Sequence, residues 1–304
     1  MTPAAHLDPA AVRRTLAAAG LRARSSLSQN FLVDVDVLER ILAEAAAVPG
    51  RAVLEIGPGL GILTGGLLEA GAAVTAIELD AGLAGQLRER FGAEIAVADQ
   101  SPGVAGSLRL IEDDALDEPL TRLCPVPYDV VANLPYHITS PSLHRLLGAP
   151  PRPDRLVLMV QREVAERIAA PAGKMSYLSV FVQYHAAVRI ALRVPAASFE
   201  PAPEVESAVI VATPFTADDR LDPAAEEELW QLVQAAFRER RKMIHNVLAR
   251  QLGLPAERVA SALAAAEIAP DRRPQTLGVG EWLRLRETLG PLEPDRRGRS
   301  DRER

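Results

Sequence analysis

The sequence predicts an α/β protein: a largely parallel sheet covered by helices on both faces, followed by a smaller all-α domain. Three observations lead there. From residue 35 to about 169, short apolar segments alternate with segments of helical periodicity, the pattern of a parallel sheet buried on both sides. From about residue 222 the periodicity is helical alone, which marks a change of domain. The chain has 304 residues, room for two domains at ~100–200 residues each.

Taken in order, residues 1–34 form an arginine-rich leader, and 35–47 predict a helix with Val37, Leu38, Ile41 and Leu42 on one face. Residues 52–56, 73–78, 108–111, 129–132 and 156–160 predict strands, with helices at 61–70, 81–91, 141–147 and 163–169. The segment 92–107, with its Gly, Asp, Ser and Pro, reads as a loop. Residues 188–194 and 207–213 predict two late strands forming an antiparallel edge pair. Helices follow at 223–237, 239–252, 256–265 and 279–289. The predicted domains are therefore 35–214 and 215–291, with a disordered, mixed-charge tail at 292–304.

Composition narrows the classes. Apolar content of 48% and charged content of 24% suit a globular protein, and no apolar run approaches the ~20 residues of a bilayer span. The first dozen residues hold no hydrophobic block of a secretory signal. Cys124 is the single cysteine, which excludes an internal disulfide, fits a reducing cytoplasm and reads as a small buried apolar side chain. A net charge of −6 argues against a protein that binds nucleic acid with its whole surface. The positive charge is concentrated, however: Arg13, Arg14, Arg22 and Arg24 face one acid, Asp8, and a second cluster is Arg238, Arg240, Arg241 and Lys242. Such patches are compatible with RNA binding. No metal-ligand pattern is present in the sequence.

Glu55-Ile56-Gly57-Pro58-Gly59-Leu60-Gly61 closes the first predicted strand and opens a helix. Glycines there allow a tight turn and a close backbone approach to a ligand. Glu78 ends the next strand, where a carboxylate can accept both hydroxyls of a ribose. The G-x-G-x-G spacing, the proline within the turn and the lack of a basic residue for a pyrophosphate favour S-adenosylmethionine over NAD. A strand–helix turn without a ligand stays open on the loop alone. Asp113-Asp114 follow the third strand and suit either an adenine amino group or a solvated cap.

Asn133-Leu134-Pro135-Tyr136 follows the apolar run 128–132. The Asn133 side-chain oxygen and the Pro135 carbonyl can both accept from an exocyclic amino group. That would draw the nitrogen toward a tetrahedral geometry and aim its lone pair at a methyl carbon. Tyr136 can stack on the base, worth ~1–3 kcal/mol. Placement then governs an in-line displacement, with no strong base needed and the target base unstacked. Alone, the four residues would read as a strand-end turn.

Together with Ser28-Gln29-Asn30-Phe31-Leu32, Ile77-Glu78-Leu79-Asp80, Asp114-Ala115, Gln161-Arg162-Glu163-Val164, Leu178-Ser179-Val180, Gln183-Tyr184, Phe199-Glu200-Pro201-Ala202-Pro203, Ser207-Ala208-Val209, Arg240-Arg241-Lys242 and Asn246, these motifs make the chain resemble, over about residues 20–290, the small-subunit ribosomal RNA adenine dimethyltransferases. The resemblance implies a class I, Rossmann-like methyltransferase fold. It implies cofactor contacts at Gln29, Asn30, Leu32, Gly57, Gly59, Glu78, Leu79, Asp114 and Asn133. Asn133, Leu134, Pro135 and Tyr136 would form the acceptor loop, and Phe199 would sandwich the target adenine with Tyr136. Arg240, Arg241 and Lys242 would grip RNA phosphates, where a solvated helix face is the alternative. The implied substrate is two adjacent adenosines in the 3′-terminal hairpin loop of 16S rRNA, in a small-subunit assembly intermediate. A cytoplasmic monomer with a role in ribosome biogenesis is expected. Ser28 stands where the family usually has Gly, and Glu206 where it has Asp. Competing readings are a large-subunit rRNA adenine methyltransferase of the macrolide-resistance type, which usually carries Ile where Leu134 stands, a non-catalytic rRNA-binding assembly factor, and an NAD-dependent oxidoreductase.

Overall fold

A computed structural model describes residues 8–24, 29–100, 103–123, 125–216 and 220–292. Ser28, Cys124 and the tail beyond 292 lie outside the described residues. The chain divides into two compact units, Met1–Glu166 with Ala186–Pro214, and Arg167–His185 with Phe215–Arg304.

In chain order the first unit runs α1 (Pro9–Ala18), β1 (Phe31–Leu32), α2 (Val35–Ala45), β2 (Ala52–Ile56), α3 (Ile62–Glu69), β3 (Ala73–Glu78), α4 (Ala81–Arg90), α5 (Gly92–Gln100), β4 (Leu108–Glu112), α6 (Leu120–Leu123), β5 (Tyr128–Asn133), α7 (Thr139–Gly148), β6 (Arg155–Gln161) and α8 (Arg162–Ile168). After α9 (Tyr177–His185) come β7 (Ala186–Val194), β8 (Phe199–Glu200) and β9 (Ser207–Pro214). Seven strands form one sheet in the order β4-β3-β2-β5-β6-β9-β7. The first five are parallel, and β9 pairs antiparallel with both β6 and β7. The apolar runs predicted to be strands are buried on both faces: Val130, Val131, Leu156, Leu158 and Ile210 are all sealed from solvent.

The chain winds outward from β2 to β4 in one direction and from β5 to β6 in the other, so β2 and β5 are neighbours at the switch point. The loops at their carboxyl ends face one crevice, where open α/β sheets bind ligands.

The leader contains α1, capped by Asp8 with Pro9 in the first turn. Its Val12 and Leu16 pack with Phe31, Val33, Leu60 and Leu83. A second, two-stranded sheet joins β1 to β8, with Phe31 opposite Glu200 and Leu32 opposite Phe199.

Three expectations need correction. The segment 92–107 is not all loop, because Gly92–Gln100 forms α5. Its Ala-rich run carries helical propensity, and Ile95 and Ala98 reach the core. Residues 167–185 belong with the helical unit rather than with the sheet. There Met175, Val180 and Tyr184 share a core with Leu229, Val233, Ile244 and Trp282. The helix predicted at 239–252 starts only at Ile244. Met243 is extended at the cap, and Lys242 N–H closes a turn on the Glu239 carbonyl. The second unit is otherwise α10 (Pro223–Phe237), α11 (Ile244–Leu252), α12 (Ala256–Ala265) and α13 (Val279–Leu289).

Candidate active site

The glycine loop after β2 and the Asn-Leu-Pro-Tyr loop after β5 meet over one cavity. Gly57 and Gly59 adopt φ of 69° and 60°, the left-handed region that favours glycine. A Cβ at Gly57 would lie 3.3 Å from the Pro135 ring, and one at Gly59 3.1 Å from the Phe31 ring. The missing side chains therefore let the glycine loop touch both the acceptor loop and the leader.

Every residue proposed above for the cofactor lines this cavity: Gln29, Asn30, Leu32, Gly57, Gly59, Glu78, Leu79, Asp114 and Asn133. So do Leu134, Pro135 and Tyr136. The Glu78 carboxylate is held firmly, with Oε2 accepting from Gly59 N–H at 3.0 Å and Oε1 from Asp80 N–H at 2.9 Å. Burial nevertheless pushes this carboxyl above its usual range, the two backbone donors opposing it. Each oxygen keeps a lone pair for a further donor such as a ribose hydroxyl. Asp114 takes the capping role considered for it. Its Oδ1 accepts from Leu116 N–H at 2.8 Å, capping the turn, while the residue still faces the cavity. Gln29 spends its amide on the leader, accepting from Arg24 N–H at 2.8 Å and donating to Asp80 at 3.4 Å. Leu79 is 54% exposed beside Glu78, an apolar platform at the rim for a flat ring.

In the acceptor loop, Asn133 Nδ2 donates to the Asn30 carbonyl at 3.2 Å, which turns Oδ1 to a different donor. Leu134 is buried, and its N–H donates to the Met159 carbonyl at 3.1 Å, anchoring the loop to β6. The Pro135 carbonyl already accepts from Ile138 N–H at 3.1 Å, so one of its lone pairs is taken. Tyr136 is half-buried, with its hydroxyl 2.8 Å from Ser207 Oγ, and burial raises the phenol above its ordinary range. That bond fixes where the hydroxyl end of the ring lies.

Phe199 is not at the cavity. It lies in β8 opposite Leu32, 3% exposed within the sheet's core cluster, because the β1–β8 pairing turns its side chain inward. Glu206, in place of the usual Asp, forms an ion pair with Arg162 at 2.6 Å. Arg240, Arg241 and Lys242 are exposed on the turn between α10 and α11 rather than on a helix face.

Glu55 is the residue whose part was not read from sequence. It was visible only as the first letter of the glycine motif, yet it is a lining residue of the cavity at 1% exposure. The signal was a charge inside an apolar strand. Glu55, Glu78, Asp113 and Asp114 all line the cavity, and no lysine or arginine does among the described residues. Together with the apolar platform and the glycine cradle, this wall fits a cationic nucleoside.

Residues 20–289 match the family model described as ribosomal RNA adenine dimethylase. The chain is 41% identical to a ribosomal RNA small subunit methyltransferase A of Synechococcus sp., covering 91% of this chain and 99% of the relative. It is 40% identical to the protein of the same name from Geobacter sulfurreducens, covering 89% and 96%. Among solved structures it is similar to the 23S rRNA methyltransferase ErmE, at 30% identity and a TM-score of 0.67 over 86% of this chain and 99% of that one. A dimethyladenosine transferase from Plasmodium falciparum, 24% identical over 84% of this chain and 95% of that one with a TM-score of 0.68, shares the fold.

Proposed function

From its membership of the ribosomal RNA adenine dimethylase family, to which this chain belongs, we propose that it methylates N6 of two adjacent adenosines in the 3′-terminal hairpin loop of 16S rRNA. The product is N6,N6-dimethyladenosine, and the methyl donor is S-adenosylmethionine. The observation that carries this is the junction at the switch point: Pro135 of the acceptor loop lies against Gly57 of the glycine loop over one acidic cavity.

When bound, the cofactor supplies an electrophilic methyl group on a sulfonium. Gly57 and Gly59 would let the backbone approach it, Glu78 would accept from its ribose, and Leu79 and Asp114 would hold its adenine. Gln29, Asn30 and Leu32 close the leader over that side. On the substrate side, Asn133 Oδ1 accepts one N6–H of the target adenine. The remaining lone pair of the Pro135 carbonyl can accept the other. Two acceptors localise the nitrogen lone pair, and Tyr136, locked to Ser207, sets the plane of the base. Leu134 anchors this loop without touching the base. Phe199 is packed opposite Leu32 and does not line the cavity. Arg240, Arg241 and Lys242 bind RNA phosphates from the exposed turn. The enzyme acts as a cytoplasmic monomer on small-subunit assembly intermediates. No helix among the described residues is long and apolar enough to cross a membrane.

A large-subunit target is the second reading, favoured only by the similarity to the 23S rRNA enzyme. Leu134 in the acceptor loop and the higher identity to small-subunit enzymes weigh against it. Purified protein with S-adenosylmethionine should dimethylate small subunits lacking the modification, read by mass spectrometry of the digested RNA. Label confined to large-subunit RNA, or no label, overturns the assignment.

A further inference from the structure

Glu55 ends up in an unusual position for an acid. It is 1% exposed, on the central strand β2, and is one of the residues lining the cavity. Its neighbour from α3 is Thr64, whose hydroxyl donates to Oε2 at 2.7 Å. Its neighbour from β3 is another carboxyl, Glu78, which disfavours a second negative charge. The other titratable groups around the cavity are Asp113 and Asp114 after β4, and Tyr136 and His137 in the acceptor loop. No lysine or arginine among the described lining residues compensates a charge on Glu55. A carboxylate buried without a cationic partner is costly, so the acid stays protonated.

We propose that Glu55 is a proton-linked specificity residue for the charge of the methyl donor: it carries a proton in the free cavity and releases it when cationic S-adenosylmethionine enters. The proposal rests on the cofactor reading above. The ligand brings the positive charge that the wall lacks, so the ionised carboxylate becomes the favoured form in the complex. One O–H bond of the acid breaks, and its proton passes to buffer. An uncharged nucleoside occupying the same cavity brings no such charge and leaves the proton in place. The burial of Glu55 and the proximity of Glu78 push its carboxyl up to about 8, so the proton is present at neutral pH. Affinity for the cationic donor then improves by up to about tenfold per pH unit over the range in which the acid is ionised in the complex but protonated in the free cavity, and levels off above the free-cavity value.

The test is isothermal titration calorimetry at pH 7 in two buffers of different ionisation enthalpy, with S-adenosylmethionine and with uncharged 5′-methylthioadenosine. The wild-type protein should release close to one more proton than Glu55→Gln on binding S-adenosylmethionine, and neither should release one on binding 5′-methylthioadenosine. Equal proton counts in the two proteins, or equal release with both ligands, overturn the proposal. Failure of S-adenosylmethionine to bind the wild-type protein would instead overturn the cofactor reading, and this proposal with it. Thr64→Val gives an independent arm that leaves Glu55 in place. Without the hydroxyl donor the acid holds its proton more tightly, so at pH 8 this variant should release more than the wild type, which is there about half ionised. Equal release at pH 8 also overturns the proposal.

Discussion

The side-chain amide of Asn133 donates to the backbone carbonyl of Asn30 at 3.2 Å, across 103 residues of chain. The leader thus decides which end of the amide is left for the cavity. Asn133→Ala removes both the acceptor and this tether. It should lower methyl transfer by about 10²–10³-fold while cofactor binding persists. Single-turnover methylation beside a calorimetric Kd checks this, and normal turnover refutes the role. Asn133→Asp should be no better, because a carboxylate cannot donate to the Asn30 carbonyl.

Tyr136 has two separable features, a ring at the cavity and a hydroxyl bound to Ser207. Tyr136→Phe keeps the face and should cost no more than about tenfold, the worth of one neutral hydrogen bond. Tyr136→Ala loses the face as well and should abolish measurable transfer. Ser207→Ala should match Tyr136→Phe, and the two together should cost no more than either alone. A full additive loss in the double variant would show that the bond does not orient the ring.

Glu55 also leaves a mark on stability. In the folded chain its carboxyl titrates at about 8, against an ordinary value of 4.5. Between those pH values the folded chain holds a proton that the unfolded chain has released, so this group's contribution to stability falls as pH rises. Glu55→Gln has no such dependence. Relative to wild type it should gain stability progressively from about pH 4.5 to 8, by on the order of a few kcal/mol. Urea denaturation along a pH series measures the gap, and a constant gap sinks the prediction.

Gly61 opens α3 at φ 74°, and a Cβ there would lie 2.5 Å from the Phe91 ring and 2.7 Å from Leu87. Gly61→Ala combines backbone strain with overpacking and should destabilise the fold by about 1–3 kcal/mol. Chemical denaturation tests this; an unchanged midpoint would refute it.

Arg240, Arg241 and Lys242 stand exposed on one turn. Changing all three to Gln should weaken RNA binding. It should also flatten the slope of log K against log salt by about 2, the change expected when three cations no longer neutralise phosphates of a single strand. Titrations at several salt concentrations measure that slope. An unchanged slope removes the turn from the RNA surface.

The sheet and its switch point were legible because doubly buried parallel strands leave apolar runs that period and length expose, as at 128–132 and 156–160. The two loops were legible because glycine, proline and amide chemistry is local. What escaped depended on distant partners. Tyr177–His185 is rich in β-branched and aromatic residues and carries no helical signature. Packing against Leu229, Val233 and Trp282 makes it a helix. Phe199 looked available in a proline-rich loop, yet pairing with Leu32 buries it. The run 239–242 (Glu-Arg-Arg-Lys) contains good helix formers, but its backbone turns on Glu239 instead.

The pairing of β1 with β8 joins residues near the start of the chain to residues near 200, and Ser198 adds a hydrogen bond to Asp34 across 164 residues. Such closure is entropically expensive and comes late in folding. During synthesis, a chain that has emerged only as far as β6 already contains the glycine loop, Glu78 and Asn133. It still lacks the strand that clamps the leader over them. The donor site is therefore completed only after residue 200 has left the ribosome, so a growing chain should capture no cofactor until the sheet is nearly whole.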